Sequence, residues 1–387
     1  MSLVAKTAAL LRPRASNQRI GPLGIDFSLE ALHLVQLEAA TGEPPVVRAR
    51  ASLPFDCPRR EVLESPLRFR SLIKRALACD NFYGRKAVIA VPSGMFRTVS
   101  INYQSGPGKD QEAAAIVKVM RDRLDGDLAD YVLDYLPVKS RSKNDERLAL
   151  VAVSERQPIV DLLEFARKAK LNVEALEIGP VAISRLVGAL STKSGSGNVL
   201  VINSGRRASY LTLISGADLL FDQEVAFGED SLIQQAAETL DMSEELARDL
   251  VLRTGVHSGS RRDASTATFE DVSAATFEEV GLVNTISQIL KPQFLKLVDE
   301  IKRVCLYAAA ETRGGAVTQV FLLGSVARWP GSDSLLSSLT GTSVAKIPDP
   351  LELFPASAGT AAHADSLSVP EIVVATGAAL RGLVKHA

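Results

Sequence analysis

Aromatic residues make up only 5% of the 387 positions, and no charge of either sign is in surplus: 44 Lys and Arg stand against 45 Asp and Glu. Without a basic excess a run of phosphates is not neutralised, and without aromatics there is no platform for stacked bases, so nucleic acid is excluded as a partner class. Cysteine is scarce too. Cys57, Cys79 and Cys305 are odd in number and widely spaced, with no C-x-x-C pair, and His33, His257, His363 and His386 are equally scattered. Neither a disulfide framework nor a metal site is expected, and reduced thiols fit a cytoplasmic protein. No run approaches the roughly 20 apolar residues that span a bilayer. Residues 1–20 carry Lys6, Arg12, Arg14 and Arg19 and no acid. After Leu11 they are too polar for a signal peptide, and they read as a basic tail or as a short amphipathic anchor on anionic lipid.

What is present is an ordinary globular balance, 46% apolar and 23% charged, in a chain longer than the roughly 250–300 residues one core serves; two lobes are expected. PLGIDF, ALHLVQL and VVRARASL read as three strands, followed by a helix from Pro66 with an inward stripe of Leu67, Leu72, Ile73, Ala76 and Leu77. The order recurs in GNVLVINSG, RASYLTLI and ADLLFDQEVAF, followed by a helix at GEDSLIQQAAETL with its cap expected near Asp230–Ser231. Two β-β-β-α openings in one chain are an internal duplication of an α/β unit.

The domain reading follows: a first lobe over 21–190 with a small α/β subdomain inserted at 85–178, a Ser/Gly-rich hinge, and a second lobe over 197–387. Within the second lobe, residues 257–276 read as a polar loop. A long helical pattern through Ile286, Leu290, Phe294 and Ile301 is interrupted by Pro292, which is expected to kink or split it. Asp125-Gly126-Asp127 reads as a solvated turn, and Ser191–Gly197 lacks the order of a P-loop. Trp329 fits either a contact anchor or the core.

Three glycine-containing turns carry the chemistry: Gly24–Glu30, Val201–Gly205 and Leu322–Ala327. Such turns hold phosphates through backbone N–H groups, which need glycine for close approach. With LGIDFSLEALHLVQL, KAVIAVPSGMFRTVSI, LLGSVARWPGSDSLLSSL and ATGAALRGL, the chain resembles the PilM family of type IV pilus assembly proteins over nearly all of Gly21–Val384. That resemblance implies a duplicated actin-like, ribonuclease H-like, two-lobed fold with an FtsA/PilM-type inserted subdomain. It also implies a nucleotide pocket, and here the residues depart from the family pattern, which reads approximately D-I-G-S-S-S-V-K in the first loop. Asp26 is kept. Ser28 replaces the glycine, Glu30 adds a carboxylate where phosphates would lie, and His33 stands in place of lysine. In the second loop Asn203 replaces the aspartate that would help hold hydrated Mg²⁺, while Gly205 is kept. In the third Gly324 is kept, but Ser325 would take room the base needs. These eight residues are the expected remnant of a nucleotide pocket; alternatively Asp26 and Asn203 merely end strands and tie hairpins.

No catalytic residue, metal or cofactor is therefore expected, with ATP–Mg²⁺ the alternative. The resemblance implies an adaptor, peripheral to the inner membrane, that joins a pilus or secretion platform to its motor proteins. Its implied partner is the N-terminal peptide of a PilN-like membrane protein, bound between the first lobe and the inserted subdomain. The competing readings are a lobe-closing ATPase of the same machinery and a filament-forming actin-like protein.

Overall fold

The computed structural model describes residues 18–40, 43–104, 108–138, 146–190, 197–216, 218–257, 274–311, 315–347, 349–355 and 370–383. The basic tail to residue 17, the hinge at 191–196 and the polar stretch 258–273 lie outside the described residues.

β1 (Gln18–Phe27), β2 (Ala31–Ala40) and β3 (Val46–Pro54) form an antiparallel meander. α1 (Arg59–Glu64) and α2 (Pro66–Ala78) follow, separated by Ser65, whose hydroxyl accepts the Arg68 N–H at 3.4 Å. Pro66 opens α2, where its missing N–H has no helical partner to lose. β4 (Lys86–Ala90) pairs parallel with β1. β5 (Arg97–Gln104), α3 (Lys109–Arg121), β6 (Tyr131–Val138) and β7 (Glu146–Glu155) then build a separate antiparallel sheet, ordered β5-β7-β6. α4 (Arg156–Lys168) and β8 (Asn172–Glu177) return the chain to the first sheet, ordered β3-β2-β1-β4-β8. The inserted unit is thus the β5–β7 segment, narrower than 85–178, because β4 and β8 hydrogen-bond to each other in the first sheet.

α5 (Gly179–Leu190) leads to β9 (Asn198–Ser204), β10 (Ser209–Ser215), β11 (Asp218–Val225), α6 (Glu229–Leu240) and α7 (Glu244–Thr254). α8 (Ala274–Glu311), β12 (Val317–Gly324), α9 (Ser332–Thr340), β13 (Val344–Lys346) and α10 (Val373–Ala379) complete the chain. The second sheet is ordered β11-β10-β9-β12-β13, which repeats the first strand for strand, with three antiparallel strands joined by two parallel ones. α8 runs through Pro292 as one helix. Leu290 and Phe294, on either side of the proline, are both fully buried, so core packing holds the helix across the missing N–H.

α10 closes the molecule in a place that chain order does not indicate. It packs on β1, β2, β4 and α5, so the end of the 197–387 segment belongs in space to the first lobe. Glycine makes this approach possible: a Cβ on Gly24 would lie 2.0 Å from the Ala375 carbonyl oxygen, and one on Gly377 would lie 2.0 Å from that of Ala182. α5 and α10 are sandwiched between the two sheets, in a shared core that includes Val35 and Leu37 of the first and Val201 and Leu323 of the second. Buried Val138 and Leu148 of the inserted sheet join the second lobe's core, and β11 touches all three inserted strands. No helix among the described residues is long and apolar enough to cross a membrane.

Candidate functional site

Between the lobes lies a cavity of about 680 Å³, walled on one side by the β1–β2 turn and Arg59 and on the other by the β9–β10 turn, Tyr210 and Asp222. The first wall is built around Asp26, at the end of β1. It is 9% exposed, and burial pushes its carboxyl up to about 7 against the opposing pull of Arg59. Ser28 ties the turn to itself: its N–H and Oγ both donate to the Ala31 carbonyl, at 3.0 and 2.9 Å. His33 is buried, with Nδ1 2.9 Å from Ser52 Oγ and Nε2 3.2 Å from Ser28 Oγ. Burial lowers its pKa to about 4, so the imidazole is neutral at pH 7 and is no cationic substitute for a phosphate-binding lysine.

The second wall is stitched from backbone and hydroxyls. Gly205 N–H donates to the Ala208 carbonyl at 3.0 Å, and the Gly205 carbonyl accepts the Glu229 N–H at 3.1 Å. Gly228 is required at the start of α6, since a Cβ there would lie 2.4 Å from the Arg206 carbonyl oxygen. It is also the N-cap of α6, so the cap lies two residues before Asp230. Asn203 lines the cavity, and at Gly324 (φ 81°) a Cβ would lie 2.0 Å from the Ser204 carbonyl oxygen. Ser325 departs from expectation. It is fully buried, its Oγ donates to the Ser204 and Gly205 carbonyls at 3.2 Å, and it does not line the cavity. Its hydroxyl is drawn to the carbonyls of the neighbouring turn instead of toward the cavity.

Glu30 differs more. Sequence reasoning places an unbalanced carboxylate in the pocket; in the structure Arg206 donates to it from across the cleft. The same guanidinium donates from Nε and Nη2 to Asp230 Oδ1 at 3.0 and 2.9 Å. Arg248 bridges Asp230 and Glu229, at 2.9 Å each, and Trp329 Nε1 donates to Glu229 at 3.0 Å. Trp329 is therefore core, fully buried. Arg206, Glu229, Arg248 and Arg328 escape a motif search. The available signals were the Arg206-Arg207 pair directly after Gly205 and the Gly-Glu-Asp run that opens α6.

Asp26 and His33 make opposite contributions to pH dependence. Asp26 has a folded pKa above its unfolded value, so its contribution is fully present below about pH 4 and is lost as pH rises toward 7. His33 has a folded pKa below its unfolded value, so its contribution is present above about pH 6.5 and is lost as pH falls toward 4. Asp26→Asn should leave stability unchanged at pH 4 and raise it by about 2–4 kcal/mol at pH 8. Urea melts of both proteins at pH 4, 6 and 8 test this; an equal effect at every pH would rule the ionisation out.

Duplicated five-stranded sheets enclosing a cleft between two phosphate-loop-like turns define a two-lobed protein of the actin-like class. The chain belongs to the type IV pilus assembly protein PilM family, whose model matches residues 24–253. A solved PilM–PilN type IV pilus biogenesis complex contains a chain with 21% identity and a TM-score of 0.69, over 94% of this chain and 99% of that one. The ethanolamine utilization protein EutJ from Carboxydothermus hydrogenoformans is similar at 14% identity and a TM-score of 0.50, over 96% of this chain and 91% of that one. No curated protein matches by sequence.

Proposed function

We propose that this PilM-family chain is an adaptor that binds the N-terminal peptide of a PilN-like inner-membrane protein, and so associates with that membrane, without turning over ATP. The observation that carries the second part is Glu30, a carboxylate among the turns that line the cavity, with Arg206 of the same lining committed to it and to Asp230. The other residues fit Mg²⁺–ATP poorly as well. Asp26 holds its proton up to about pH 7, Asn203 brings no charge to a metal, and Ser28 and His33 bond each other. Purified protein with Mg²⁺–ATP should release phosphate no faster than background; steady release that disappears in Asp26→Ala would refute the reading. The cavity and the retained Asp26, Gly205 and Gly324 favour the ATPase alternative.

Support for a peptide site comes from the junction between the first lobe and the inserted sheet. α4 packs on α2 and touches β6, yet leaves Val160 and Leu163 45% and 40% exposed. Apolar side chains one helical turn apart offer anchors to an extended peptide. Leu163→Asp should weaken binding of a PilN-like N-terminal peptide by about tenfold or more, since burying one leucine stabilises by roughly 1.5–3 kcal/mol. Fluorescence anisotropy with a labelled peptide measures it, and unchanged affinity would place the peptide elsewhere.

A further inference from the structure

The ionic contacts around the cavity form one chain that leaves the first lobe, crosses the second and returns. It starts at Glu30 in the β1–β2 turn. From there it runs through Arg206 to Asp230, then through Arg248 to Glu229, and through Arg328 to Glu371. Glu371 belongs to the turn that leads into α10, the helix docked on the first sheet. Both ends of the chain are therefore fixed to the first lobe, and the middle to the second. Each of the three guanidiniums already faces carboxylates on both sides. Arg206 receives Glu30 as an arginine receives a phosphate oxygen, with a planar fork shared between two anions.

We propose that Glu30 is a built-in anion that closes the cleft: its contact with Arg206 holds the two lobes together with no nucleotide between them, and the cleft opens when that contact is broken. The proposal deepens the reading of a cleft that works without ATP turnover. It is tested with neither peptide nor hydrolysis assay, so the two fail separately. The side chains of Glu30 and Arg206 are 38% and 35% exposed, which leaves the pair open to screening. At about 1 M salt the Debye length falls to about 3 Å, and the latch should loosen. Deeper members are protected: Glu229 is fully buried. The latch is therefore weakest at its Glu30 end, the other crossing, Arg328–Glu371, being 29% and 26% exposed.

The test is a distance measurement across the cleft in the full chain. Nitroxide labels go on exposed Ser71 of α2 and Glu238 of α6, with the three native cysteines replaced by alanine, and distances are read by pulsed electron resonance. At 0.15 M salt without nucleotide the parent should give one narrow distribution. Glu30→Gln and Arg206→Gln should each add a second distance, raising the open-to-closed ratio about fivefold, the scale of one half-exposed pair. High salt should do the same to the parent. Glu64→Gln, which removes an exposed helix-surface pair with Arg60, should change nothing. Glu30 lies in a surface turn, and coincident melting curves for Glu30→Gln and the parent would confirm that the fold is kept. Superimposable distributions for Glu30→Gln and the parent would overturn the latch. So would a parent that is broad alone and narrows only with Mg²⁺–ATP.

Discussion

Glu177→Ala is expected to lower the melting temperature by about 4–6 °C. The carboxylate ends β8 with a side chain only 3% exposed, and Arg185 grips it from α5 with two bonds, Nη1 to Oε2 at 2.8 Å and Nη2 to Oε1 at 2.7 Å. Arg185 Nη1 also donates to the Gly377 carbonyl at 2.8 Å, and Arg381 reaches the same carboxylate. These contacts pin α10 to the first lobe. Removing Glu177 strands a guanidinium that is itself 3% exposed, and an uncompensated buried charge costs about 3–5 kcal/mol. With an unfolding entropy of about 2.1 cal/mol/K per residue over the whole chain, that is the stated shift in melting temperature. Glu177→Leu with Arg185→Met removes both charges and should recover most of the loss. A double variant as unstable as Glu177→Ala would mean that packing, not the stranded charge, was responsible.

Glu229→Ala is expected to cost a similar 3–5 kcal/mol and to be visible from one side chain. Its carboxylate is inaccessible and accepts from Arg248 at 2.9 Å, from Trp329 Nε1 at 3.0 Å and from Arg328 at 3.4 Å. Trp329 is the sole tryptophan, so its emission reports on this site alone. Alanine should redden the emission and open it to iodide quenching. Glu229→Gln retains an acceptor for the indole but no charge for the arginines, so it should restore the emission more fully than the melting temperature. If emission in the alanine variant matches the parent, the carboxylate does not organise this wall.

The duplication was legible because each opening of three strands and a helix is one continuous stretch, Gln18–Ala78 and Asn198–Leu240: alternation and turn residues decide its elements one by one, and the sheets carry it strand for strand. Asp26, Ser28, His33 and Asn203 were found because the resemblance to the PilM family sets them against that family's loop pattern, position by position. Chain order misled where packing crosses lobes. α10 follows the second lobe in sequence but is buried against Gly24 of the first, and no local pattern states which sheet a short apolar helix will choose. Ser325 was read from its place in a motif, while its hydroxyl answers to two carbonyls on another turn.

By itself the sequence determined the α/β class, the doubling, the turns that face the cleft and the residues in them that depart from the family's loop pattern, since period, turn chemistry and side-chain charge are properties of short segments. The tertiary structure alone decided that Glu30 is balanced by Arg206. These residues are 176 positions apart, and a carboxylate reads as a repulsive charge or as half of a latch according to what the fold sets opposite it. Coulomb energy depends on distance in space, and separation along the chain does not supply it.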